Sequence, residues 1–207
     1  MRHNPAHAVD DERIVRLLIE ENPWATIISS RDGEMVASHY PILLEDRDDE
    51  VLSIVTHVGR PDEKVHDFGV REVMVIVAGP HGYVSPSWYT PGDTPAPTWN
   101  FIVAHCYGIP EVLPLEENKA TLTRLVAHFE RRVEDPVYLA PETADRLAPG
   151  TVGLRIPITR WTAKLKMSQD KSPQSREQVL EALRKPGPYQ NLALVSEMER
   201  ALGESSG

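Results

Sequence analysis

Apolar residues gather into short, regularly spaced runs along most of the chain. Trp24 to Ser29, Met35 to Leu44, Val51 to Val58 and Val73 to Ala78 predict four strands, the last ending at Gly79-Pro80. Arg31-Asp32-Gly33-Glu34 predicts the hairpin turn between the first two, and the acidic stretch Glu45 to Glu50 a solvated turn after the second. Thr98 to Val112 alternates with Phe101, Val103, His105 and Tyr107 on one face, and Val152 to Trp161 alternates through Val152, Leu154, Ile156 and Ile158. Helical spacing holds in two places. Ile14, Leu17, Leu18 and Glu21 follow Asp10-Asp11, which suit the positive end of a helix, and Asn22-Pro23 stops that run. Leu115 to Val133 carries the stripe Leu122, Leu125, Val126 and Phe129. Pro61 to Phe68 reads as a short helix or loop, Pro86 to Pro97 as a stiff irregular loop with four prolines, and Ser172 to Arg184 and Leu192 to Leu202 as exposed C-terminal helices.

Six or so short strands with hairpin turns, one early helix and one long late helix predict a mainly β, α+β fold: a small antiparallel β-barrel flanked by helices. Strands and helices do not alternate strictly, which rejects a doubly wound parallel sheet. No Gly-x-Gly-x-x-Gly occurs, so a nucleotide has to bind without a Rossmann loop. The expected organisation is one domain over residues 1–185, followed by a helical tail at 186–207.

Composition narrows the function. The 207 residues carry a net charge of -9, and the 22 basic residues would have to gather on one face to hold DNA. Neither a helix-turn-helix pattern nor zinc-finger spacing is present, so direct DNA binding is not expected. No apolar run approaches the ~20 residues that span a bilayer, and the first residues lack the apolar core of a signal peptide, so a cytoplasmic, non-membrane protein is expected. The single cysteine, Cys106, excludes an internal disulfide and reads as a buried small apolar residue. The histidines lack His-x-x-x-His spacing, and Ser85 and Ser87 lack a nucleophile elbow, so neither a zinc helix nor a hydrolase triad is expected.

Aromatic, hydroxyl, amide and imidazole groups crowd into a few stretches: Gly79-Pro80-His81-Gly82-Tyr83-Val84-Ser85-Pro86-Ser87-Trp88-Tyr89, Pro97-Thr98-Trp99-Asn100, His105-Cys106-Tyr107-Gly108 and Lys164-Leu165-Lys166-Met167-Ser168-Gln169. Smaller ones are His39-Tyr40-Pro41 and His57-Val58-Gly59-Arg60. Flat, partly polar ligands need such a mixture of rings and fixed donors. In this order, from about Met1 to Lys185, the stretches resemble the PaiB family of FMN-binding negative transcriptional regulators. The resemblance implies an FMN-binding split β-barrel that is homodimeric, with cofactor clefts between subunits, a small-molecule ligand, and a redox or indirect regulatory role. One departure is visible: Pro61-Asp62-Glu63-Lys64-Val65 stands where the family usually continues with Asn-Pro and then a tryptophan. The same family contains haem-dependent piperazate synthases, which act on an N-hydroxylated amine. Their axial histidine aligns with His57, so the resemblance leaves FMN or haem b open.

The candidate cofactor-binding residues are therefore His57, Arg60, Lys64, Ser85, Trp88, Thr98, Trp99, Asn100, His105, Lys166 and Gln169. His57 is also the candidate haem-iron ligand if haem is the cofactor. Arg60 suits a phosphate or a propionate, because guanidinium pairs with both through two bonds. Tyr83, Trp88 and Trp99 offer stacking surfaces, although filling a subunit interface is an equally good use for them. Lys164, Lys166 and Lys171 with Gln169 form the local basic patch that a phosphate needs. Thr98 and Asn100 point away from Trp99 if the segment is extended. His39, His81 and His105 are secondary polar candidates, His105 reading better as a hydrogen-bonded core or interface group.

Overall fold

The structure is a computed structural model and describes residues 1, 4–45, 51–93 and 96–204. Its strands are β1 (Ala8–Val9), β2 (Trp24–Arg31), β3 (Glu34–Pro41), β4 (Leu43–Glu45), β5 (Ser53–Gly59), β6 (Val73–Val84), β7 (Thr98–Gly108), β8 (Glu111–Val112), β9 (Thr151–Pro157) and β10 (Arg160–Lys166). Its helices are α1 (Glu12–Glu21), α2 (Arg60–His66), α3 (Leu115–Glu130), α4 (Pro141–Leu147), α5 (Pro173–Arg184) and α6 (Leu192–Glu204). The strands form a six-stranded sheet in the order β1-β10-β7-β6-β2-β3 and a four-stranded sheet in the order β4-β5-β9-β8. The predicted α+β, antiparallel split-barrel class is what the chain adopts. Two compact units are distinguishable: one of Met1–Glu12, Ala78–Ala104 and Thr162–Gly207, the other of Arg13–Val77 and His105–Trp161.

The larger unit holds the four-stranded sheet and its cover. Asp32 (φ 52°) and Gly33 (φ 86°) give β2 and β3 a left-handed two-residue turn, the geometry that matches strand twist. On β9, Val152, Leu154, Ile156 and the following Ile158 alternate into the core as their spacing predicts. The opposite face packs on α3, where Leu43, Val55 and Leu125 meet. A Cβ at Gly153 would lie 2.9 Å from Asn118 Oδ1 and 3.0 Å from its Cα, so glycine lets α3 sit directly on β9. At the margin of this interface the Arg155 guanidinium donates to Glu45 through Nε (2.7 Å) and Nη2 (2.9 Å), and Nη2 also reaches Glu117 at 3.0 Å. Glu45 is thus a buried, paired strand residue rather than part of a solvated turn; 46–50, the rest of that predicted turn, lie outside the described residues.

The smaller unit contains β1 against β10 (Ala8↔Lys164, Val9↔Ala163), the later part of β6, the earlier part of β7, and α5 and α6. The two C-terminal helices are not simply exposed: Val179, Leu180 and Leu183 of α5 and Leu194, Val195 and Met198 of α6 are buried. Full burial of such a side chain is worth ~1.5–3 kcal/mol, which explains why the helices are anchored. A Cβ at Gly82 would sit 2.9 Å from Leu194 Cδ2 and 3.2 Å from Asn191 Nδ2, so this glycine is where β6 and the start of α6 meet.

Three element boundaries differ from the pattern. β6 does not stop at Gly79-Pro80 but runs on to Val84. Its pairing with β2 ends at Val77, so Pro80 deprives no ladder of an N–H on that side. The single strand expected at Val152 to Trp161 is two. Ile158 N–H donates to the Leu52 carbonyl and Thr159 N–H to the Tyr107 carbonyl, and the chain changes sheet at that corner. The segment Thr98 to Val112 likewise divides into β7 and the short β8. No helix among the described residues is long and apolar enough to cross a membrane.

Candidate functional site

Strand alternation builds the first half of the site in the smaller unit. At the start of β7, Asn100 points inward, fully buried, and donates to Ser168 Oγ (2.9 Å) and Met198 Sδ (3.4 Å). Its predicted orientation is observed, and its polar atoms hold the core together rather than face outward. Trp99, one residue earlier, therefore points the other way and is 53% exposed. Its ring lies 6.4 Å from His81 and 6.3 Å from Tyr83. Tyr83 also touches Trp88 (6.5 Å) and Tyr189 (5.7 Å), and Trp88 touches Tyr189 at 6.0 Å. Five rings from β6, β7, the turn after β6 and the α5–α6 loop thus form one connected aromatic group. A hollow of about 520 Å3 opens between Tyr83, Trp99, Leu183, Pro188, Tyr189 and Asn191. That volume is in the range of small-molecule sites, and its wall combines stacking surfaces with a few polar tips.

The second half is cationic. Lys166, the last residue of β10, donates its ammonium to Thr98 Oγ1, beside Trp99. Burial lowers the Lys166 pKa, with Lys164 and Lys171 lowering it further and Asp170 opposing. His7, delivered by a 3-10 turn at Pro5–His7, is buried, with 7% of its surface exposed. Its pKa is lowered first by burial, then by Lys166 and Lys164, against the pull of Asp170 and the Ala6 backbone. Lys164 lies over the Phe101 ring at 5.6 Å, and Lys171 lies over the Tyr89 ring at 5.4 Å and pairs with Asp170 at 3.1 Å. Gln169 supports the turn: its Oε1 accepts from Met167 N–H (2.7 Å) and its Nε2 donates to the Leu165 carbonyl (2.7 Å). Ser85 caps the turn at Pro86–Trp88, accepting from Ser87 N–H at 3.3 Å.

The remaining candidates lie in the larger unit. His57, on β5, is opposite Gly153 and so shares the face that α3 covers. Its Nδ1 is buried without a hydrogen-bond partner, and burial lowers its pKa, leaving a neutral imidazole. Arg60 donates through Nε to the Pro149 carbonyl (2.9 Å) and through Nη2 to that of Thr151 (3.1 Å). Lys64 is exposed on α2, and its carbonyl accepts from Arg31 Nη1 at 2.6 Å. His105 is half-buried, with its pKa lowered by burial. His39 bonds Thr26 Oγ1 at 3.0 Å. Cys106 is fully buried and its thiol is pushed up to about 12, consistent with an inert apolar role. Among the described residues, no group of three or more His, Cys, Asp or Glu is placed to hold a metal ion.

Sequence reasoning missed three residues. Tyr189 lies in a loop with no periodicity. His7 precedes a two-residue strand that no pattern marks. His66 forms a separate buried unit, its Nδ1 2.8 Å from Ser29 Oγ, its Nε2 2.8 Å from Ser38 Oγ and its ring stacked on Phe68 at 4.6 Å. The alternation of β2 and β3 puts Ser29 and Ser38 on predictable faces, but their shared partner is a tertiary fact.

Comparison with known proteins agrees with this architecture. The chain is 29% identical over 170 residues to "Protease synthase and sporulation protein PAI 2" of Bacillus subtilis, covering 80% of each chain. Its fold is similar to that of an FAD and heme binding protein from Mycobacterium smegmatis, with TM-score 0.61, 17% identity, and coverage of 82% of this chain and 78% of the other. It is also similar to the flavocytochrome Anf3 from Azotobacter vinelandii, with TM-score 0.57, 12% identity and coverage of 77% and 69%. Residues 1–160 match the family described as "Putative FMN-binding domain", and the chain belongs to that family.

Proposed function

We propose that this chain is an FMN-binding split-barrel protein with a redox role, holding the flavin in the smaller unit. The observations that carry the reading are the aromatic hollow at Tyr83, Trp99 and Tyr189 and the lysines of β10, the strand beside β7, of which Lys166 donates to Thr98. FMN has the matching chemistry: a flat ring system to stack and a phosphate to neutralise. Neighbouring strands lie about 5 Å apart, so β10 brings its lysines within reach of a ligand seated beside β7. When bound, a flavin supplies reversible electron transfer. The chain's own residues stack the ring and hold the phosphate. The names of two fold neighbours, an FAD and heme binding protein and a flavocytochrome, support a flavin or a haem ligand alike. A net charge of -9 disfavours direct contact with DNA, so any regulatory effect is read as indirect.

The test is the visible spectrum of the purified protein, followed by titration with FMN. Paired bands in the blue and near-ultraviolet are expected. Lys166→Ala should weaken FMN about 10- to 100-fold, the ~1.5–3 kcal/mol of a hydrogen bond to a charged group. A protein that leaves FMN unbound at micromolar concentration would refute the reading. One observation favours haem as the second reading: the neutral imidazole of His57, which is the form that ligates iron. A Soret band lost in His57→Ala would establish it. The β2–β3 hairpin exposes Trp24 (62%) and Met35 (68%), which supports a homodimer that sedimentation at micromolar concentration would reveal.

A further inference from the structure

The larger unit has a hollow of its own, of about 660 Å3, lined by the end of α1, the start of β4 and the second half of α3. Its α3 wall follows from helical spacing. Arg124, Ala127, His128, Arg131 and Arg132 stand at i, i+3, i+4, i+7 and i+8, which is one face of the helix. Leu122 and Leu125, on a neighbouring face, are buried. Arg124 is tethered, its Nη2 donating to the Leu44 carbonyl at 3.2 Å. Arg131 and Arg132 are exposed, and neither side chain forms an ion pair among the described residues. The α1 wall carries the opposite charge. Glu20 and Glu21 are exposed in the last turn of α1, which contains no basic residue. The C-terminus of a helix is already the negative end of its dipole, so carboxylates there do not serve the helix itself. The floor is apolar: Ile42 is buried, while Leu17, Leu44 and Ala127 are half-buried and still meet solvent. Ile42 N–H donates to the Pro23 carbonyl at 2.9 Å, which holds the segment after α1 against the start of β4. His128 adds no charge at neutral pH, because burial, Arg131 and Arg132 lower its pKa and Glu20 alone raises it.

We propose that this hollow binds a short apolar peptide with both ends free. The peptide's ammonium meets Glu20 and Glu21 at the end of α1, its carboxylate meets Arg131 and Arg132, and its side chains cover Leu17, Leu44 and Ala127. Charge complementarity selects this occupant. An anionic amphiphile leaves the two glutamates opposed to it, and a cationic one meets the arginines, whereas a zwitterion suits both walls. Guanidinium takes a carboxylate through two parallel hydrogen bonds, and a helix C-terminus favours a positive group. The volume falls in the ~300–1,000 Å3 range of small-molecule sites, and the apolar floor is drawn from three elements, which one amino-acid side chain cannot cover. No covalent bond changes on binding. The site lies wholly in the larger unit and does not depend on a bound flavin.

The experiment titrates the full chain calorimetrically with trileucine, N-acetyl-trileucine and trileucine amide. Trileucine is expected to bind, and each blocked form to bind about tenfold more weakly. Glu20→Gln with Glu21→Gln should weaken trileucine about five- to tenfold and leave N-acetyl-trileucine unchanged. Arg131→Gln with Arg132→Gln should weaken trileucine by a similar factor and leave trileucine amide unchanged. All four positions are exposed, so the melting curves of the variants should match wild type and show that they are folded. No binding of trileucine at millimolar concentration would overturn the proposal, as would blocked forms that bind as tightly as the free peptide. A charge variant that weakens all three ligands equally would overturn it too, because the ends of the ligand would then not be what the walls read. Free leucine binding as tightly as trileucine would refute the peptide assignment, and decanoate binding more tightly than trileucine would show an anion site instead.

Discussion

Replacing Arg155 by Met tests how the four-stranded sheet is secured. Glu45 is only 9% exposed and accepts from Arg155 at 2.7 and 2.9 Å and from Ser53 Oγ at 3.2 Å. The substitution leaves this carboxylate with Ser53 as its hydrogen-bond donor and Arg124 as its remaining cation. Breaking such a pair costs ~3–5 kcal/mol, because one charge stays behind without its partner. Domains of this kind are stable by only ~5–15 kcal/mol, so the loss is large. With ~2–4 °C per kcal/mol for a chain of this length, the melting temperature should fall by ~6–20 °C. The second change Glu45→Gln removes the stranded charge, so the double variant should recover much of the loss. Urea unfolding of the four proteins gives the coupling energy directly. Stability within ~1 kcal/mol of wild type for Arg155→Met, or a coupling energy near zero, would refute the reasoning. The pH dependence follows with a definite sign. Arg155 lowers the Glu45 pKa, so the pair's contribution is fully present above the unfolded carboxylate value of ~4.3 and is lost as pH falls through the folded one.

Gly108→Ala should destabilise by ~1–3 kcal/mol or more in urea unfolding, because its Cβ would lie 2.2 Å from the Pro157 carbonyl oxygen. Gly150→Ala, with nothing within 4 Å of its Cβ, serves as the control, and equal effects at the two sites would count against the close approach. His66 is held neutral chiefly by burial, so its contribution is complete above the unfolded histidine pKa of ~6.5 and is lost as pH falls through its lowered folded value. Melting curves from pH 7.5 to 5 should therefore show a steeper loss in wild type than in His66→Gln, and parallel curves would contradict this.

The fold was largely legible because its signals are local. The alternation through Val152, Leu154 and Ile156 and through Phe101 to Tyr107, and the Asp32-Gly33 turn, each follow from two or three neighbouring residues. What escaped depended on distant partners. Pro80 looked like a strand end, since whether its missing N–H matters depends on where β2 stops. Glu45 looked solvated, since its partner lies 110 residues further along. The site divided in the same way. Trp99 facing outward and Asn100 facing inward follow from strand geometry, whereas Tyr189 joins Trp99 at the hollow only through folding. Arg60, suited by chemistry to a phosphate, donates to two backbone carbonyls, a use that its sequence neighbours do not reveal.

The aromatic hollow has mixed ancestry. Its Tyr83 and Trp99 wall lies within the stretch that matches the family, residues 1–160, while Leu183, Pro188, Tyr189 and Asn191 lie beyond it. Most of the residues lining the hollow are thus supplied by a segment outside the matched stretch. Substitutions in the α5–α6 loop can reshape what the hollow admits without disturbing a single barrel strand, so ligand preference in such a protein can diverge while its fold stays put.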